Sequence, residues 1–420
     1  MPDYLNILIL GETGVGKSTF INALANYLEF ETLDDALDAN NLNWMLPCGF
    51  WTQIMDRSNP DQEIVEELIQ VGSRSDENDG SKGDTATQQT TVYTVTLFSG
   101  LKPYTVRLID TPSIGDIRVE NVKKDMTNIL TTLRNYDKLQ GILILVKSNS
   151  ARLTVTFRYY VNELFTHLHR SLAQNIVFGF TNARSSNYTP GDTLRPLKKY
   201  LSEIRHISLT LSMDTTYCFD SESFRYLAAS KSGVEMANKE DFDRSWRQSR
   251  DETLRMIAYF KSVPPFETKS TMTINEVRPK ISELITSMAD ISQLIQANVT
   301  EQQLKAPAGT TRRQTANSNL DQRLKEYVQE RDAIRLAAAK LGLYTERNSI
   351  TSYNDVTIAY LNFLIDKETT KVWSGGSNTK LLVLKEDLQR YKEAVQTLAH
   401  SMEANADAVD LSEAGAERII

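Results

Sequence analysis

A glycine-rich stretch near the start of the chain has the residue types and spacing of a phosphate-binding loop. Residues 11–18 read Gly-Glu-Thr-Gly-Val-Gly-Lys-Ser. Such glycines let backbone N–H groups curl around a β-phosphate, Lys17 neutralises the β- and γ-phosphates, and the Ser18 hydroxyl binds Mg²⁺. A largely apolar run before the loop and a helical pattern after it are the context that a P-loop requires. The predicted phosphate contacts are Gly11, Glu12, Thr13, Gly14, Val15, Gly16, Lys17, Ser18 and Thr19.

A carboxylate at the end of a second apolar run is the candidate partner of the metal. Residues 106–110 read Val-Arg-Leu-Ile-Asp, and Thr-Pro-Ser follows. P-loop enzymes hold Mg²⁺, usually through one of its waters, with an aspartate at the end of a strand beside the loop. An aspartate before Thr-Pro is also compatible with a plain turn or helix cap. The spacing from the P-loop favours the metal role. We therefore predict that Ser18 and Asp110 bind the metal and that Lys17 and Asp110 act in catalysis.

Length, composition and charge describe an ordinary globular chain. Its 420 residues are enough for two or three domains, and 40% of them are hydrophobic and 24% charged. The net charge of -7 provides no global positive field, which argues against nucleic acid or anionic lipid as a partner. The longest apolar run, residues 141–146, is too short to span a bilayer. We expect a cytoplasmic protein with no transmembrane segment and no nucleic-acid partner.

Soft metal ligands are few and scattered. The chain has 2 cysteines, Cys48 and Cys218, and 4 histidines. None of them has the paired spacing of a structural zinc site. The two cysteines are therefore expected to be buried thiols.

Over roughly the first 230 residues, apolar β-rich runs alternate with helix-period segments. The predicted strands are residues 5–10, 91–98, 106–109, 141–146, 175–180 and 216–219. The predicted helices are residues 18–27, 119–136, 154–169, 194–207 and 221–231. This alternation is typical of an α/β fold in which helices cover both faces of a mostly parallel sheet.

The segment at about residues 28–80 interrupts this alternation. It holds an acidic stretch (29–38), an aromatic stretch (44–51) and the start of a polar loop (73–84). A structureless loop of such length is uncommon in a compact domain unless it is functional or disordered. Residues 72–89 suit a segment that the γ-phosphate orders and that hydrolysis releases, although a passive insertion is equally compatible.

After about residue 265 helical periodicity replaces the β signal. One apolar face is formed, at three- and four-residue steps, by Ile274, Val277, Ile281, Leu284, Ile285, Met288, Ile291, Leu294 and Ile295. Residues 321–341 and 379–409 repeat the pattern. We predict a P-loop domain at residues 1–265, with the insertion at about 28–80 and the first switch, and an α-helical hairpin or bundle at residues 266–420.

Three segments make residues 4–230 resemble the G domains of septins and of the immunity-associated (avirulence-induced) GTPases. Residues 110–116 resemble their Asp-Thr-Pro-Gly-x-x-Asp element, residues 141–154 resemble the strand and Arg-x-Thr turn of the immunity-associated group, and residues 83–87 are similar to its first switch. The resemblance implies a three-layer P-loop NTPase G domain that binds GTP or GDP with Mg²⁺. It also implies that Thr87 contacts Mg²⁺ and the γ-phosphate as a metal ligand and catalytic residue. The chain is similar as well to a poorly characterised group that joins this G domain to helical C-terminal regions.

Two positions depart from the family pattern. Ser113 replaces the glycine after Asp-Thr-Pro, and its N–H is still able to meet a γ-phosphate. The guanine-reading motif Thr/Asn-Lys-x-Asp is replaced by Thr181-Asn182-Ala183-Arg184. An aspartate at the last position accepts hydrogen bonds from guanine N1–H and the 2-amino group, whereas arginine has only donors. Arg184 would instead stack on the base, or pair with a phosphate or an acidic neighbour.

Asp220, with Ser221 beside it, is the candidate replacement acceptor, because it follows the strand whose loop also contacts the base in such domains. The alternative is that Asp220 and Ser221 only cap the helix that follows. The predicted base contacts are Thr181, Asn182, Arg184, Asp220 and Ser221.

The sequence also predicts slow hydrolysis. Phosphoryl transfer needs positioned Mg²⁺, charge neutralisation and an oriented water. Ile114 stands where many small GTPases put the residue that orients the water. Gln88 or Gln89, Arg152 or a residue from a second protomer would have to complete the site, and the family resemblance suggests a homodimer across the nucleotide face.

Three functional hypotheses follow. The leading one is a guanine-nucleotide-binding switch with slow, dimer- or partner-assisted GTP hydrolysis, whose helical C-terminal region relays the nucleotide state to a protein partner. The loss of the guanine-reading aspartate favours an ATP-using P-loop NTPase, against which the Asp-Thr-Pro element and Thr87 argue. Ser113 and the missing glutamine leave open a pseudo-GTPase interaction scaffold.

Overall fold

A computed structural model of the chain gives the fold. It describes residues 4–54, 64–72, 89–99, 102–114, 119–204, 209–305, 311–351, 356–373, 378–404 and 415–416. The chain divides into two compact units: unit 1 contains residues 1–164 and 171–269, and unit 2 contains residues 165–170 and 270–420.

Strands and helices alternate through unit 1, and unit 2 is helical. The strands are β1 (Tyr4–Gly11), β2 (Cys48–Ile54), β3 (Val65–Val71), β4 (Thr91–Ser99), β5 (Lys102–Asp110), β6 (Lys138–Leu139), β7 (Gly141–Lys147), β8 (Ile176–Thr181), β9 (Thr216–Cys218) and β10 (Phe266–Glu267). The helices are α1 (Lys17–Glu29), α2 (Leu33–Asp38), α3 (Val119–Leu133), α4 (Val155–His167), α5 (Leu194–Ser202), α6 (Glu222–Lys231), α7 (Lys239–Ser262), α8 (Thr268–Lys305), α9 (Thr311–Asn348), α10 (Val356–Trp373) and α11 (Thr379–Ala404).

Six strands form the main sheet of unit 1, in the order β4-β5-β1-β7-β8-β9. All neighbours are parallel except the antiparallel pair β4 and β5. The chain thus builds one side of β1 with β4 and β5 and then crosses to the other side for β7. In open α/β sheets, ligands bind at the carboxyl ends of the strands at such a switch point. The predicted α/β fold with a mostly parallel sheet, followed by a helical region, is confirmed.

The centre of the sheet is covered on both faces. In β1, every residue from Leu5 to Gly11 is buried, as expected for a strand packed between two helical layers. Its residues Leu5, Ile7 and Ile9 share a core with α1 and with α7. The close approach of α7 requires a residue without a side chain, because a Cβ at Gly141 would overlap the ring of Phe260.

The insertion contains regular structure that the sequence pattern did not indicate. Helix α2 begins with a capping box, in which Thr32 and Asp35 exchange side-chain and backbone hydrogen bonds. Strands β2 and β3 then form an antiparallel hairpin. Ile69 and Val71 of this hairpin are buried against apolar residues of α1, α2 and α6. Burial against these helices, which short-range periodicity does not reveal, therefore stabilises this part of the insertion.

Unit 2 has its own hydrophobic core. Helix α8 contributes Ile274, Val277, Ile281, Ile285 and Met288, as the apolar face predicted. Helices α9, α10 and α11 complete the core with, among others, Tyr344, Leu361 and Tyr391. The predicted face member Leu294 is instead 47% exposed.

Two further sequence expectations are addressed by the described residues. Cys48 and Cys218 are buried thiols. No helix in the described part of the chain has the length and apolarity needed to cross a membrane.

We predict that Gly141→Ala destabilises unit 1. The added methyl group overlaps Phe260, and overpacking of a tight core costs about 1–3 kcal/mol. Urea unfolding followed by tryptophan fluorescence measures this loss, because three of the four tryptophans, Trp44, Trp51 and Trp246, lie in unit 1. Gly49→Ala is the matched control, since its nearest neighbour would be the Ile69 carbonyl oxygen at 3.6 Å. Equal urea midpoints for the two variants would contradict the packing argument.

Candidate functional site

The P-loop connects the carboxyl end of β1 to the amino end of α1. Gly14 and Gly16 have φ angles of 75° and 90°, in the left-handed region that favours glycine. No side chain caps α1 at Gly16. The first amides of an α-helix have no intrahelical acceptor, and they carry the positive end of the helix dipole. The loop is therefore shaped to bind an anion.

Lys17, the first residue of α1, is buried inside this loop. Its ammonium nitrogen lies 2.5 Å from Asp110 Oδ1 and 2.5 Å from the Thr111 carbonyl oxygen. Lys17 is 4% exposed and Asp110 is fully buried. Burial lowers the pKa of Lys17 below its usual value, and the charge and hydrogen bond of Asp110 oppose this shift. Two predicted catalytic residues are thus in direct contact.

The segment after Asp110 lies along the P-loop. The Ile114 N–H donates to the Gly11 carbonyl at 3.0 Å, and the Thr13 N–H donates to the Ile114 carbonyl at 2.9 Å. The side chain of Ile114 is 2% exposed. Ser113, immediately before it, is half-buried. At the position where small GTPases orient water, this chain therefore has an apolar side chain that packs into the protein.

A contact that sequence reasoning missed ties the P-loop to α4. The Thr154 hydroxyl donates to the Glu12 carboxylate, and it also accepts the Phe157 N–H at 2.9 Å, as the cap of α4. The only sequence signal was the Arg-x-Thr turn at residues 152–154. Glu12 is half-buried, and its carboxylate links the loop to the start of α4.

The loop after β8 is attached to the P-loop through Thr181. The Thr181 hydroxyl donates to the Val15 carbonyl at 2.8 Å and is buried. Asn182, next in the chain, is exposed and has a φ of 54°. The first position of the predicted base-reading motif therefore positions the loop.

Arg184 pairs with two acidic residues. Its Nη1 atom lies 2.8 and 2.9 Å from the two carboxylate oxygens of Glu222, and its Nη2 atom lies 3.1 Å from Asp241 Oδ2. The hydrogen bond to Glu222 raises the pKa of Arg184. Of the roles considered for Arg184, the structure shows pairing with an acidic neighbour. Sequence reasoning did not identify Glu222 or Asp241 as the partners of Arg184.

Asp220 holds the two base-side loops together. Its Oδ2 accepts the Arg184 N–H at 3.0 Å, and its Oδ1 accepts the Glu222 N–H at 3.1 Å. Burial raises the pKa of Asp220, and these two backbone hydrogen bonds oppose the shift. Ser221 is the cap residue of α6 but makes no side-chain capping hydrogen bond. Asp220 thus satisfies the helix start, as the capping alternative expected.

The other predicted metal contacts are placed only in part. Ser18 is half-buried in the first turn of α1, beside Lys17. Thr87, Gln88, residues 83–86 and residues 115–116 lie outside the described residues. Within the described ranges, no group of three or more His, Cys, Asp or Glu side chains is arranged to hold a metal ion.

No protein-family model and no curated protein matches the chain. Similar solved structures include Toc33 from Arabidopsis thaliana as a dimerization-deficient mutant, which is 14% identical, covers 63% of this chain and 88% of its own, and has a TM-score of 0.35. Toc33 in complex with Mg²⁺ and GMPPNP is 13% identical, with coverages of 62% and 85% and a TM-score of 0.34. A septin GTPase domain from Chlamydomonas reinhardtii is 14% identical, with coverages of 62% and 97% and a TM-score of 0.30. At these identities and TM-scores the likenesses establish no function for this chain.

We predict that Thr181→Val lowers the free energy of unfolding of unit 1 by about 1–2 kcal/mol, because the buried Val15 carbonyl loses a hydrogen bond. Urea unfolding measures the loss. Thr96→Val, on an exposed position of β4, is the matched control and should be close to neutral. If Thr181→Val were as stable as this control, the hydroxyl would not support the loop.

Proposed function

We propose that this protein is a guanine-nucleotide-binding switch that holds a nucleoside triphosphate with Mg²⁺ at its P-loop and hydrolyses GTP slowly. The observation that carries the proposal is the buried Lys17 at the start of α1. A cation there is opposed both by burial and by the positive end of the helix dipole. The Asp110 carboxylate offsets part of these costs, and a bound polyphosphate would offset both.

The residues divide the work of binding. Backbone N–H groups around Gly14 and Gly16 and in the first turn of α1 would donate hydrogen bonds to phosphate oxygens. Lys17 would neutralise the charge of the phosphates. Ser18 and Asp110 would hold Mg²⁺, which supplies charge stabilisation for phosphoryl transfer. Thr87 stays the predicted third metal contact. If Lys17 turned to a bound phosphate, the Asp110 carboxylate would be in place to hold the metal.

The proposed slow turnover is supported by Ile114. An apolar, buried side chain does not orient an attacking water. We further propose, from the family resemblance alone, that a homodimer across the nucleotide face or another partner assists hydrolysis and that unit 2 relays the nucleotide state. The likeness to the immunity-associated group also stays a prediction.

We predict that Lys17→Ala weakens GTP binding at least tenfold, because a hydrogen bond to a charged group contributes about 1.5–3 kcal/mol. Titration calorimetry with Mg²⁺ and a non-hydrolysable GTP analogue measures the affinity. Lys198→Ala, on the exposed face of α5, is the matched control. Circular dichroism confirms that both variants are folded. If Lys17→Ala bound the GTP analogue as tightly as the wild-type protein, the assignment of the nucleotide site to the P-loop would be wrong.

Chromatography of the nucleotide released from purified protein separates the competing functions. GTP or GDP with slow turnover supports the proposal, and an adenine nucleotide supports an ATP-using enzyme. A protein that neither exchanges nor hydrolyses nucleotide would be a scaffold.

We also predict that the nucleotide state changes protease access to residues 72–89. Trypsin cleaves after Arg74 and Lys82 in this segment. Cleavage should be slower with a non-hydrolysable GTP analogue than with GDP, as a segment ordered by the γ-phosphate requires. The Lys17→Ala variant should show no difference between the nucleotides. Equal cleavage rates for the wild-type protein would contradict a switch in this segment.

A further inference from the structure

The ion pairs on the base side of the site bear on how the nucleotide is selected. Four residues form this group, which we term the Arg184 cluster: Arg184, Asp220, Glu222 and Asp241. The guanidinium of Arg184 stands where a guanine-reading motif carries a carboxylate, and it faces two carboxylates. The pattern of donors and acceptors is therefore reversed at this position.

We propose that Glu222 is the carboxylate that recognises guanine, and that the Arg184 guanidinium takes the place of the base's donor groups until guanine displaces it. The inference rests on the proposed function, since it concerns the base of the nucleotide whose phosphates the P-loop holds. It assigns the specificity of the site to the first residue of α6.

The chemical ground is that a guanidinium and the edge of guanine resemble each other. The guanidinium is a planar cation and guanine is a planar neutral base, but both present neighbouring N–H donors. In guanine these donors are N1–H and the 2-amino group. A carboxylate that accepts from one accepts from the other. Both oxygens of Glu222 lie within hydrogen-bond distance of Arg184 Nη1, at 2.8 and 2.9 Å. Adenine has an acceptor at N1 and no 2-amino group, so it does not offer this pattern.

The other two carboxylates of the cluster are committed elsewhere. Each oxygen of Asp220 accepts a backbone N–H, from Arg184 and from Glu222. Asp241 is shared between Arg184 and Arg244. Both carboxylate oxygens of Glu222 accept from the Arg184 guanidinium, and 22% of the Glu222 side chain is exposed. Ser245 also hydrogen-bonds to this carboxylate, and Arg184 is the exposed partner whose place a ligand can take.

The cluster lies at the same edge of the sheet as the P-loop. Arg184 follows the carboxyl end of β8, and Asp220 and Glu222 follow that of β9, its neighbour in the sheet, while Asp241 lies on α7. Thr181 joins the first of these loops to Val15, and the Tyr27 hydroxyl of α1 donates to the Asp220 carbonyl at 3.0 Å. The P-loop and the Arg184 cluster are thus both attached to helix α1.

Displacement of Arg184 is inexpensive. The Arg184 side chain is 40% exposed, and an ion pair that water reaches contributes little to stability. Asp241, 3.1 Å from the other terminal nitrogen, remains as its partner after the exchange. The cluster can therefore release Glu222 without leaving a charge buried and unpaired.

The test is a change of base preference in Glu222→Gln. An amide presents one acceptor and one donor, which complement N1–H and the 2-carbonyl group of xanthine instead of the two donors of guanine. We expect wild-type protein to bind a non-hydrolysable GTP analogue at least tenfold more tightly than the ATP or XTP analogue. In Glu222→Gln, affinity for the GTP analogue should fall by at least tenfold and affinity for the XTP analogue should rise.

Two further variants test the identity of the residue. Asp241→Asn removes a similar charge beside the same guanidinium, and it should keep the preference for GTP. Arg184→Ala removes the group that stands in for the base, so affinity for the GTP analogue should be equal to or higher than that of the wild-type protein. Calorimetry with the three analogues and Mg²⁺ measures all four proteins.

The inference is overturned by any of three results: a wild-type protein that binds ATP and GTP analogues equally, a gain of XTP binding in Asp241→Asn instead of Glu222→Gln, or a folded Arg184→Ala with weaker GTP binding. After the second or third result the proposed guanine-nucleotide function still stands, provided that Lys17→Ala loses nucleotide. After the first result only nucleotide binding at the P-loop stands, and the preference for guanine fails with this inference. If no nucleotide binds the wild-type protein, the proposed function fails and this inference fails with it.

Discussion

The arrangement of the site depends on one buried contact, between the Lys17 ammonium and the Asp110 carboxylate at 2.5 Å. A charge taken out of water has to be paired or hydrogen-bonded. This requirement holds the first turn of α1 against the carboxyl end of β5, the strand beside β1. The Thr111 carbonyl, also 2.5 Å from the ammonium, extends the contact to the segment after the strand. The phosphate-binding and metal-binding candidates therefore occupy one place because a single ion pair joins them.

The loops after β8 and β9, which carry the predicted base contacts, are held by α7, a helix outside the alternation of strands and helices. Ser249 accepts the Asp220 N–H at 3.0 Å and donates to the Asp220 carbonyl at 2.9 Å. Trp246, fully buried, packs edge-on against Tyr27 of α1 with ring centroids 4.9 Å apart. The same helix supplies Asp241 to Arg184. One helix thus fixes the loop after β9 and places a carboxylate beside the loop after β8.

The sequence predicted what is encoded over short distances. Strand β1, the P-loop and Asp110 follow from local pattern and spacing, and the sheet order agrees with them. Helix α7 was not predicted from the sequence, because its buried face includes Ser245, Ser249 and Thr253, which interrupt the apolar periodicity. The partners of Arg184 were not predicted for a different reason. Glu222 lies 38 positions further along the chain, and only the fold brings the two residues together. The motif position showed what Arg184 is unable to do, but only the structure shows its partners.

The position of Ile114 links nucleotide chemistry to the mechanics of the loop. Because Ile114 exchanges backbone hydrogen bonds with Gly11 and Thr13, the segment that follows Asp110 and the P-loop are connected by a short parallel bridge. The Glu12 carboxylate, on the bridged residue, is in turn bound by the cap of α4. A shift of Ser113 toward a γ-phosphate therefore strains a hydrogen-bonded bridge, and Ile114 cannot turn outward without exposing apolar surface. Ile114, which stands where small GTPases carry a water-orienting residue, therefore also resists movement of the segment, and this agrees with the slow turnover that we propose.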